Sequence, residues 1–179
     1  MGFGDTSMVC KIMLILLILC FIIALIGSAT PFWWYLKVDN IIGEKNTFYG
    51  GLWESCIETG FTKSCENIKD YGHSAFLDWF RAVRALSIMS LLYFLAALVA
   101  IIVFMFFMSE RKAVYQFAAF LSFVGAFCAL IAFAVYARHS SGDLKEYSAS
   151  FALTIISFIL GLMISVLGIL DNLGVVGGK

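Results

Sequence analysis

The sequence predicts a membrane protein of all-α class: a four-helix transmembrane bundle with a small disulfide-clamped antiparallel β-sheet in its first extracellular loop. Three observations carry that class. Hydrophobic residues make up 62% of the 179 positions and charged ones only 13%, where a soluble domain is about half apolar and a quarter charged. Four apolar runs each reach the roughly 20 residues that a bilayer-spanning helix needs. The one long polar insert holds Cys56 and Cys65.

The first run covers 12–30, the second 85–108, the third 113–137 and the fourth 147–170, none containing an acid, a base or a histidine. Lys11 ahead of the first run and "GSA" at its end also suit a cleaved signal peptide. Its apolar length and the following Trp33-Trp34 pair favour a retained span. Aromatic anchors mark the span ends, as expected at membrane interfaces: Phe32 to Tyr35, Trp79-Phe80, Tyr136 and Tyr147.

Four spans place both termini on one side. Extracellular loop one covers 31–80, "SERK" joins spans two and three, and extracellular loop two covers 138–146. Lys11, Arg111, Lys112 and Lys179 give the termini and the "SERK" turn a dense positive charge. Cys56 and Cys65 are the only cysteine pair in a polar loop, and a disulfide there requires an oxidising compartment. The expectation is a multi-pass plasma-membrane protein with both termini cytoplasmic.

Lipid tails are as apolar as leucine, so helix recognition falls to small residues that allow close approach. The candidates are Ala24 and Ser28; Ala96 and Ala100; Ala118, Ser122 and Ala126; and Ser157, Gly161 and Ser165, with Phe158 on the lipid face. They predict one packed bundle in a single four-span domain, 1–179, rather than four independent anchors.

Other functions find no support. Pumps and transporters place ionisable residues or broken helices near the midplane; here the lone proline, Pro31, sits at a span end. His73 and His139 occupy different loops, short of a zinc set, and Ser140-Ser141 lack an activating base arrangement. No catalytic residue, cofactor site or metal site is expected. Zero net charge gives no footprint for nucleic acid. "MGFGDT" fits the myristoylation pattern poorly because of Phe3, and no Asn-x-Ser/Thr acceptor occurs.

In loop one, Phe48 to Ile57 and "YLKVDNII" (35–42) are strand candidates, and Thr59-Gly60 signals a turn. So small a sheet buries little core, which gives the Cys56–Cys65 clamp its importance.

Trp34, "GLW" (Gly51-Leu52-Trp53), Cys56 and Cys65 leave eighteen residues between the tryptophans, two before the first cysteine and eight between the cysteines. This pattern resembles the signature of the claudins and their relatives: the peripheral myelin and epithelial membrane proteins, the lens intrinsic membrane protein and the calcium-channel gamma subunits. "FRAVRALSI" (80–88) resembles the Arg-bearing start of their second helix. The resemblance implies a sheet standing on the bundle, seated by Leu52 and Trp53, with Arg84 at the helix mouth and Arg81 as its substitute. Members that attach to scaffolds usually end in a PDZ-binding terminus, which "DNLGVVGGK" does not match. Loop two is also shorter than most claudins use between cells.

Two functions follow from the resemblance. One is a claudin-like protein of cell junctions, self-associating in the bilayer to form a paracellular barrier or channel. Loop one has seven acids against four lysines between Pro31 and Trp79, and Glu66, directly after the second cysteine, is its candidate ion-selecting acid. The other is an auxiliary subunit modulating a partner channel or receptor in the membrane.

Overall fold

Helix α1 spans Met8–Ala29, α2 Ala75–Phe107, α3 Lys112–Ser140 and α4 Ala149–Asn172, and strands β1 Trp34–Asp39, β2 Lys45–Gly50, β3 Glu54–Thr59, β4 Thr62–Asn67 and β5 Glu146–Tyr147 form one sheet. The computed structural model describes residues 7–39, 45–60, 62–68, 75–107, 112–140 and 146–175. The end of the 35–42 strand candidate, His73, Ser109 to Arg111 of "SERK", residues 141–145 of loop two and the Gly2–Thr6 pattern lie outside the described residues.

All four helices are long and apolar enough to cross a membrane. Helix α1 starts at Ser7, whose hydroxyl accepts from the Cys10 amide at 3.2 Å and satisfies one orphan donor of the first turn. It ends where Thr30 turns into extended backbone before Pro31, which cannot continue a helix. Helix α2 has 33 residues. At 1.5 Å per residue it is about 50 Å long, against a hydrocarbon core of about 30 Å. It is therefore longer than one crossing needs, and its Arg84 reaches the loop-one carbonyls of Leu52 and Ile68.

The bundle closes through small residues. Ala118, Ser122 and Ala126 of α3 and Ser157, Gly161 and Ser165 of α4 are all buried. A Cβ added at Gly161 would lie 2.8 Å from the Phe94 ring and 2.9 Å from the Ala126 methyl, so a hydrogen there is what lets the helices approach. Gly168 is tighter, 2.5 Å from the Ala119 methyl. On α2 the expected pair is displaced: Ala96 is exposed, and the buried stripe runs Ser90, Phe94, Ala97, Ile101. On α1, Gly27 is buried whereas Ala24 and Ser28 are partly so. Phe158 is not on the lipid face, because its ring packs 5.7 Å from Phe133 and against the core.

The sheet is antiparallel throughout its order β4-β3-β2-β1-β5. The apolar run 48–57 is two strands, β2 and β3, broken by "GLW", because Leu52 leaves the sheet and is wholly buried in the bundle. Gly60 takes a left-handed backbone (φ 57°) between β3 and β4. Cys56 and Cys65 are directly opposed in that pair and disulfide-bonded. With a sequence separation of nine, closing so short a loop contributes about 2.6 kcal/mol in the chain-entropy account.

Candidate functional site

The junction between sheet and bundle gathers many of the polar contacts of the described residues. The last carbonyls of a helix have no partner within it, and α1 ends beneath the sheet. There the Trp33 indole donates to the Gly27 carbonyl at 2.9 Å, and the Trp53 indole donates to the Ser28 carbonyl at 2.7 Å. The Ile26 carbonyl accepts from both the amide and the hydroxyl of Thr30. Two tryptophans from different sheet segments thus finish one helix end.

Beside them, Arg84 on α2 reaches into loop one. Its Nε donates to the Leu52 carbonyl at 2.6 Å and a terminal nitrogen donates to the Ile68 carbonyl at 3.3 Å. The guanidinium also stacks 4.6 Å from the Phe80 ring centroid and 5.4 Å from that of Trp53. Planar Arg has the fork for two carbonyls and the face for two rings, which Lys lacks. Arg81 instead faces Asp78 at 3.9 Å.

Leu52 joins Trp33, Phe80, Val83, Ala132, Tyr136 and Phe151 in an apolar cluster under the sheet. Gly51 has to be glycine for a steric reason: a Cβ there would lie 2.6 Å from Pro31 Cα and 2.7 Å from the Thr30 carbonyl oxygen, both backbone. Trp34, the first signature residue, is partly buried, and its indole lies over Gly50, where a Cβ would meet Nε1 at 2.8 Å. The fully buried tryptophan is its neighbour Trp33. The sequence marks Trp33 only as an interface anchor. Trp33 lies at the bend ahead of β1 and Trp34 opens the strand, a boundary that the side-chain pattern does not fix.

Helix α4 closes the junction. The Ser148 and Ser150 amides donate to the Trp33 and Phe32 carbonyls, and the Thr30 and Ser150 hydroxyls are 2.7 Å apart. Tyr35 donates to Glu146 across the β1–β5 pair. That bond to the carboxylate, ahead of burial and the nearby negative charge, raises the Tyr35 pKa.

Alternation along the strands gives the sheet two unlike faces. Tyr35, Tyr49, Glu54, Cys56, Glu58, Lys63 and Cys65 share one. There Lys63 lies 5.4 Å over the Tyr49 ring, and its hydrogen bond to Tyr49 raises its pKa. Trp34, Leu36, Val38, Phe48 and Ile57 share the other face with Ser55, Ser64 and Glu66. Glu66 is exposed on β4, the outermost strand, opposite Ser55.

Among the described residues no three His, Cys, Asp or Glu side chains come together as a metal set. His139 stacks on Trp79 at 5.1 Å, and its Nδ1 lies 3.0 Å from the Val135 carbonyl one turn back. The site is built to hold a sheet on a helical bundle and to present that sheet's faces and edge.

Four membrane-length helices crowned by a disulfide-clamped sheet define a multi-pass, claudin-like membrane protein. The model of the PMP-22/EMP/MP20/Claudin family matches residues 7–168, and the chain belongs to that family. No curated protein matches the sequence.

Proposed function

We propose that the protein is a claudin-like component of cell-cell contacts in the plasma membrane, self-associating through its outer sheet to form or regulate a paracellular barrier or channel. In this reading both termini are cytoplasmic and the four spans form one domain. The observation that carries it is the edge strand β4, every residue of which is exposed. An unpaired strand edge is a ready template for pairing with another chain. The face of the sheet that carries Glu66 also exposes Ile57 and Val38.

Glu66 is the selectivity candidate in this reading. Its charge is exposed on the edge strand, and physiological salt leaves its field incompletely screened over roughly 8 Å. Glu66→Lys is expected to reverse the sodium-over-chloride preference of an epithelial layer expressing the protein, at unchanged surface level. Glu58→Lys, on the opposite face of the same strand pair, is the control and leaves the preference in place. Unchanged preference for Glu66→Lys correctly placed at contacts overturns the reading.

A second reading, an auxiliary subunit beside a channel or receptor, rests on α3. Phe117, Phe120, Phe123 and Phe127 are all exposed there, a stripe suited to a partner's transmembrane helix. Co-purification with a channel after gentle detergent extraction supports it.

A further inference from the structure

Just below the tryptophan-capped end of α1, a cavity of about 10 Å³ lies where all four helices meet. Its lining includes five hydroxyl residues, Ser28, Ser87, Ser90, Thr154 and Ser157. A cavity of roughly 10–15 Å³ is the size that admits one water, provided two to four polar partners face it.

The hydroxyls divide into two sets. Ser28 donates to the Leu25 carbonyl at 3.0 Å, Thr154 to the Ser150 carbonyl at 3.0 Å and Ser157 to the Thr154 carbonyl at 2.8 Å. Each of these has used its one proton and keeps oxygen lone pairs free to accept. The Oγ atoms of Ser87 and Ser90 are buried and have no hydrogen-bond partner. The two residues are only 7% and 3% exposed, so bulk water does not serve them. A buried hydroxyl left without a partner is costly, and two of them beside one small polar cavity call for a common partner.

We infer that this cavity is a binding site for a single structural water held by Ser87 and Ser90 of α2 and by the hydroxyl oxygens of α1 and α4. The bookkeeping closes on both sides. The serines of α2 donate to the water oxygen, and the water's two protons go to two of the three oxygens with free lone pairs. A metal cation of that size is disfavoured, because no carboxylate lines the cavity and an uncompensated charge within the membrane is expensive. The site extends the sheet's anchorage inward: the Ser28 carbonyl takes the Trp53 indole while its hydroxyl faces the water.

The test uses the full chain in lipid nanodiscs. Ser87→Ala and Ser90→Ala each remove one of the water's donors, and each is expected to lower Tm by about 2–4 °C. If the hydroxyls have no water, each alanine deletes an unsatisfied polar group, and an unchanged or raised Tm overturns the inference. An experimental density map of the unmodified protein provides the independent reading. Density within 3.2 Å of both Oγ atoms is expected. A dry cavity, with the two hydroxyls turned back onto the Val83 and Leu86 carbonyls of their own helix, overturns it even if the variants do not fold.

Discussion

Replacing Arg84 by Met keeps much of the side chain's length but removes its charge and all its donors. The Leu52 and Ile68 carbonyls lose their hydrogen bonds at 2.6 and 3.3 Å, and the rings of Phe80 and Trp53 lose a cation at 4.6 and 5.4 Å. Two charge-assisted hydrogen bonds contribute about 1.5 kcal/mol each at the low end of their range. Two partly exposed cation–π contacts add about 0.5 kcal/mol each. The sum is about 4 kcal/mol; because the contacts share one group it overstates the separable part, and about 3 kcal/mol is the working figure. At 1.4 kcal/mol per decade, detachment of the sheet becomes about 100-fold more populated. Arg84→Lys keeps a charge and one donor's reach but not the fork or the stacking face, so about half that free energy remains. The helices do not depend on these contacts, so the assay must be local. Hydrogen exchange of the β3 and β4 amides in nanodiscs should accelerate about 100-fold in Arg84→Met and about 10-fold in Arg84→Lys, with α3 and α4 unchanged. Native protection of β3 and β4 in Arg84→Met would refute the idea that this side chain seats the sheet.

Gly161→Leu inserts a branched side chain where even a Cβ lies 2.8 Å from Phe94 and 2.9 Å from Ala126; thermal melts in detergent should drop by about 2–12 °C, as overpacking costs of about 1–3 kcal/mol imply. Ile159→Leu, at an exposed position of the same helix, is the control and should melt with the unmodified protein. The β1–β5 contact should be lost at high pH. Tyr35 has a folded pKa raised above its ordinary 10.0 by the bond to Glu146. Its contribution is therefore complete below pH 10 and disappears as pH rises through the folded pKa. Exchange at Tyr147 should speed up above that pH, and a Glu146→Gln variant should show a smaller pH effect.

The sequence by itself determined the class. Four uncharged apolar runs admit no soluble fold, because lipid is the only solvent that accepts them. It also determined the cysteine pair, since Cys56 and Cys65 are the only two in a polar loop. The Gly60 turn was likewise legible, because Thr-Gly is a turn signal, and the resemblance to the claudins implied the Arg at the mouth of α2. Tertiary structure alone decided which faces pack. In a soluble helix the buried stripe contrasts with a polar one, but here the lipid-facing Leu92, Val99 and Ile102 are as apolar as the buried Phe94 and Ile101. That is why Ala96 was a reasonable contact position and Ala97 is the real one, and why Phe158 looked like a lipid-facing residue. The same holds at the junction. Trp33 and Trp34 are adjacent and chemically identical, and the point at which β1 begins to pair with β2 decides that one enters the core from the bend while the other covers Gly50. The hydrogen bonds of Arg84 to the Leu52 and Ile68 carbonyls go to backbone oxygens, which every residue type carries equally. A side-chain pattern cannot announce such partners; only the folded path of the chain brings them within reach.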